Sequence, residues 1–124
     1  MAVVSTELSK MNIVAATAAP WAYNASTASA ADAETIIVAP GAGKNLYVTK
    51  LTVVCDANIT VTLGSGAADN AVEATLWGPI PFGTAGGVVE FAHPGGVQLV
   101  TNKTLTVDAS DTGNLCIIVE GYTV

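Results

Sequence analysis

The chain has 124 residues and a net charge of −6, from ten acidic residues against four lysines, with no arginine. That balance excludes a nucleic-acid binder, which needs a basic stripe to displace phosphate counterions, and it disfavours an anionic membrane surface. Charged residues make up 11% of the chain against about 25% in an average soluble domain, so Thr, Ser, Asn, Gly and Ala must cover most of the surface, a composition suited to burial against other subunits.

Residues 1–33 read as an N-terminal arm. From Ala15 the stretch ATAAPWAYNASTASAADA is low in complexity and supplies little bulk apart from Trp21 and Tyr23. Ahead of it, Ser5 can cap a short helix carrying Leu8, Met11 and Ala15 on one face, and an extended run over residues 11–15 fits equally. Val3, Val4, Leu8, Met11, Ile13 and Val14 are too apolar for a free tail. Two dockings are open: the arm adds an edge strand to its own domain, or it binds a neighbouring chain. Leu8, Met11, Ile13, Trp21 and Tyr23 are the candidate contact residues, the two aromatics reading as anchors that await a pocket. The N-terminus lacks the basic leader and continuous apolar core of a secretory signal, so synthesis in the cytoplasm is expected.

Residues 34–124 read as the folded domain. A first strand over residues 34–38 stops at Ala39-Pro40-Gly41, where proline removes a ladder donor. The following Gly-Ala-Gly-Lys lacks the upstream Gly and downstream Ser or Thr of a phosphate-binding loop and reads as a turn. Residues 45–64 carry two β-rich runs around Asp56-Ala57-Asn58, read as a hairpin: Leu51, Val53 and Cys55 share one face, then Ile59, Val61 and Leu63 alternate with Asn58, Thr60 and Thr62. A strand over residues 72–77 meets Pro79 and Pro81, which confine it to an edge or a crossing between sheets. Short runs follow at 88–91 and 97–100, separated by His93-Pro94-Gly95-Gly96, then at 104–108 with Leu105 and Val107 on one face. The last strand, from Asn114, is apolar on both faces near its middle and is expected at the centre of its sheet. About eight short strands spaced roughly ten residues apart, with no long helix after residue 33, predict an all-β fold. A jelly-roll-like β-sandwich of antiparallel strands is the first choice.

Chemistry is sparse. His93 is the single histidine and reads as an exposed turn residue. Cys55 and Cys116 read as free buried thiols, a cross-sheet disulfide being the alternative. No nucleophile elbow is present, Asp108 and Asp111 lack calcium-loop spacing, and Glu73, Glu90 and Glu120 have no spacing that pairs them for glycoside cleavage. Trp77, Phe82 and Phe91 read as core. No enzyme activity, cofactor or metal is expected.

The stretch IIVAPGAGKNLYVTKLTVVCDANITVTLGSG, then GPIPFG, then HPGGVQLVTNKTLTVDASDTGNLCIIVEGYTV resembles small β-sandwich proteins of tailed bacteriophage virions, over residues 34–124. The resemblance implies a capsid decoration (cement) protein with a jelly-roll-like fold, often a homotrimer, bound through the major capsid protein to the outside of an icosahedral head. Two competing readings remain. One is a carbohydrate- or receptor-binding fibre module using Trp77, Phe82 and the residues near His93; the other is a tail or baseplate subunit.

Overall fold

The computed structural model describes residues 18–28, 32–67 and 71–124. Among them are eight strands: β1 (Ala19–Thr27), β2 (Glu34–Ile37), β3 (Leu46–Cys55), β4 (Thr60–Ala67), β5 (Ala71–Pro81), β6 (Gly87–Gln98), β7 (Thr104–Ala109) and β8 (Leu115–Thr123). They form two four-stranded sheets, β1-β8-β3-β6 and β2-β7-β4-β5, antiparallel throughout. Strand 1 pairs with 8, 2 with 7, 3 with 6 and 4 with 5, and successive pairs fall in alternate sheets. That is the strand order of a jelly roll, the expected fold.

Period-2 patterning builds the core between the sheets. Leu51, Val53 and Cys55 of β3 and Leu115, Ile117 and Val119 of β8 face Val61 and Leu63 of β4 and Leu105 and Val107 of β7, all buried. Each such aliphatic side chain contributes about 1.5–3 kcal/mol on leaving water. β8 lies between β1 and β3, as its two apolar faces predict, and β5, with its two prolines, is an edge.

Residues 45–64 do not form a hairpin. β3 pairs with β6 and β8, β4 with β5 and β7, so the two strands stand in different sheets and face each other across the core. The connection is held for a crossing. The Asp56 carboxylate accepts the Asn114 backbone N–H at 3.0 Å and its side-chain amide at 2.8 Å, and Ile59 N–H donates to the Ala57 carbonyl at 3.0 Å. Two consecutive strands with one apolar face each can pair edge to edge, with both faces then covered by a second layer, or stand in opposite sheets and cover each other, and here they stand in opposite sheets.

The runs at 88–91 and 97–100 are likewise joined. They belong to the single strand β6, in which Ala92 pairs with Lys50 and Val97 with Val48, so residues 93–96 bulge opposite Thr49. Tyr122 holds the bulge in the sheet: its hydroxyl donates to the Gly95 carbonyl at 3.1 Å, and its ring stacks on Tyr47 at 4.9 Å. Gly96, at φ +83°, supplies the left-handed turn, and a Cβ there would stand 3.2 Å from both tyrosines.

The boundary at residue 33 runs through the sandwich, because β1 pairs with β8 over all nine of its residues without a register shift. Residues 19–27 of the arm therefore complete their own domain as an edge strand.

Candidate interaction surface

Residues with chemical potential are engaged in packing. His93 lies half-buried in the β6 bulge, a correction to its reading as an exposed turn residue, and its Nε2 accepts the Trp77 indole N–H at 3.1 Å. Its ring stacks parallel to Phe91 with centroids 6.4 Å apart. Because Trp77 belongs to β5 and His93 to β6, this bond ties the two sheets along one side of the sandwich. The contact requires the imidazole proton on Nδ1. Trp77 and Phe82 are buried, as expected of core aromatics, which removes two of the rings a sugar platform would need.

The cysteines are free. Cys55 pairs with Leu115 and points into the core, whereas Cys116 pairs with Val54 on the opposite face, so the sheet itself separates the thiols. Cys116 Sγ lies 3.1 Å from Asn24 Oδ1. Glu90 pairs with Lys50 at 3.7 Å on the first sheet and Glu73 with Lys103 at 3.5 Å on the second. Among the described residues no three His, Cys, Asp or Glu side chains gather to hold a metal ion, and no helix is long and apolar enough to cross a membrane.

Of the arm candidates, Trp21 is placed in β1 against the core, with its indole N–H donating to Thr123 Oγ1 at 3.1 Å. It rests on Gly121, where a Cβ would collide with the Tyr47 carbonyl oxygen and with the Trp21 ring. Trp21 thus closes its own domain. Tyr23, two residues on, remains 46% exposed with its ring 5.8 Å from that of Trp21. Leu8, Met11 and Ile13 lie outside the described residues.

A surface that the sequence reading did not single out lies on the outer face of the first sheet. Val54 pairs directly with Val88 on β6 and with Cys116 on β8, and Thr52 pairs with Ile118. Direct cross-strand partners share a face, so Val54, Val88, Cys116 and Ile118 form one apolar cluster. Val88 is 65% and Ile118 41% exposed. A cleft of about 450 Å³ opens beside it, lined by Val54, Cys116, Ser26, Ala28 and Asn114 among others. The signal was present in three apolar doublets, Val53-Val54, Val88-Val89 and Ile117-Ile118, which make both faces of a strand apolar.

No protein-family model matches the chain, and no curated protein matches it. Among solved structures it is similar to a chain of the cyanophage Pam1 capsid asymmetric unit, with a TM-score of 0.38 and 19% identity, covering 85% of this chain and 81% of that one. The jelly-roll order stands on this chain's own strand pairing.

Proposed function

We propose that this chain is a structural virion protein, a capsid decoration (cement) protein that binds the outer surface of an icosahedral phage head as a homotrimer and stabilises the joints between capsomers. The observation that carries the reading is the apolar outer face of the first sheet, where Val88 and Ile118 stand exposed on a sandwich whose histidine is occupied by internal contacts. The resemblance of residues 34–124 to phage virion β-sandwich proteins supplies the partner, the major capsid protein. The low surface charge favours a contact whose strength depends little on salt. Stabilisation follows mass action, since a ligand that binds assembled shells better than separated subunits shifts the equilibrium toward the shell.

Residues 1–17 precede β1 and supply Leu8, Met11 and Ile13 as further contacts with the shell. The test is co-sedimentation with empty heads of the same phage that lack this protein. The full chain is expected to pellet with heads and to raise their disruption temperature. Val88→Glu with Ile118→Glu, and separately removal of residues 1–17, are expected to weaken binding while leaving the β-sheet circular dichroism signal intact. Full-affinity binding by both variants, or no binding by the full chain, overturns the proposal.

A further inference from the structure

The side of the sandwich along β5 and β6 is closed by side chains. β5 is the edge of the second sheet and β6 the edge of the first, so among the described residues no ladder of backbone bonds joins the two strands. One side-chain hydrogen bond runs from β5 to β6 among these residues, that of the Trp77 indole N–H to His93 Nε2 at 3.1 Å. Trp77 is 4% exposed, so losing this acceptor leaves a buried donor without a partner. His93 is half-buried, stacked on Phe91, and within reach of a proton from solvent.

We propose that this bond is an acid-released latch: protonation of His93 frees Trp77 and opens the β5–β6 side of the sandwich. The neutral imidazole has one acceptor nitrogen, here Nε2, whereas the imidazolium carries a hydrogen on both nitrogens and accepts nothing. Two N–H groups then point at each other. A buried donor left unsatisfied costs more than the bond itself contributed. The latch therefore holds while His93 is neutral, and its contribution to stability is lost as pH falls.

Neighbouring charges are engaged elsewhere. On β5 the charged group is Glu73, which pairs with Lys103. Glu90 of β6 alternates with Phe91 and so lies on the outer face, where it pairs with Lys50 of β3. Glu120 of β8 stands beside Lys50 on that face, and Tyr47 of β3 stacks on Tyr122 of β8. β4 carries no titratable side chain. Among the described residues His93 forms no ion pair, so no carboxylate holds the imidazolium in the place of the imidazole. Histidine is the side chain whose ordinary charge change falls between about pH 5 and 8, and His93 is the single one in the chain. The device is independent of what the outer face of the first sheet binds.

The test follows the two indole N–H resonances of the full chain by NMR from about pH 8 to 5, assigned with Trp77→Phe. The Trp77 resonance is expected to move with the same midpoint as the His93 ring protons, while that of Trp21, bonded to the Thr123 hydroxyl, stays in place. His93→Gln offers an amide oxygen as the acceptor and removes the titration, so its Trp77 resonance is expected to stay fixed. Urea unfolding is the second measurement. Between the two pH values the folded-to-unfolded ratio of the native chain is expected to fall about tenfold further than that of His93→Gln, a comparison in which the carboxylates cancel. If His93→Gln does not fold, the native chain alone decides, with Trp21 as its internal control. A Trp77 resonance that does not follow His93, a His93 that stays neutral down to about pH 5, or an equal fall in the variant overturns the proposal.

Discussion

The outer faces of the two sheets are built on opposite plans. On the second sheet, the outward residues Thr104 and Thr106 of β7 are buried, and Gly64 and Gly66 of β4 stand where a Cβ would strike the backbone of β5 at Ala74 and Ala71. β5 thus coils over its own sheet and reaches toward β7, where Glu73 pairs with Lys103. The Thr104 hydroxyl is 2.5 Å from the Gly66 carbonyl oxygen and 2.6 Å from the Thr106 hydroxyl, so the covered face keeps its buried polar atoms satisfied. On the first sheet nothing among the described residues covers Val88 and Ile118. The contrast separates a face closed by its own strands from one that stands open among the described residues.

The largest effect that would break this contrast is expected at the glycines. Gly64→Ala drives a methyl into the Ala74 carbonyl and to 3.0 Å from Val72 Cγ1, and since backbone must move, a loss of about 3 kcal/mol is expected in urea unfolding. Gly121→Ala, trapped between the Tyr47 backbone and the Trp21 ring, is expected to match it. A smaller loss, about 1–2 kcal/mol by the same measurement, is expected for Thr104→Val, which keeps the shape but removes the donor to Gly66. Trp77→Phe removes the indole bond to His93 and is expected to lower stability by about 1 kcal/mol, with loss of the folded-state quenching or shift in tryptophan fluorescence that Trp77 contributes. On the open face, Val88→Thr with Ile118→Thr is expected to change stability by no more than about 0.5 kcal/mol while weakening sedimentation with heads. A destabilisation there as large as that of Gly64→Ala would mean that the first face is closed by the chain itself.

The strands were largely legible because each shows local alternation. Leu105 and Val107, or Leu115, Ile117 and Val119, share a face wherever the strand is placed in the fold. The partners were not legible at the same level. The Asp56-Ala57-Asn58 break reads as a hairpin turn until Asp56 is seen holding Asn114, 58 residues away. Pro94-Gly95-Gly96 reads as the end of a strand until Tyr122 is seen pinning Gly95 from β8. His93 looked exposed for the same reason: the Trp77 that engages it lies on another sheet, 16 residues earlier. Of the candidate contacts, Trp21 was visible as an aromatic in a thin segment, but its use as a lid over Gly121 depends on a glycine 100 positions later.

By itself, the sequence determined that this chain makes short antiparallel strands with an Ala- and Thr-rich surface and no basic face, because alternation, turn residues and charge are local or summed properties. Tertiary structure alone decided that β3 and β4 cross between sheets, that Trp21 serves its own core, and that the apolar doublets leave Val88 and Ile118 in the open. Those outcomes depend on which edges pair and which faces stack, choices settled by the whole set of strands competing to bury the same apolar area.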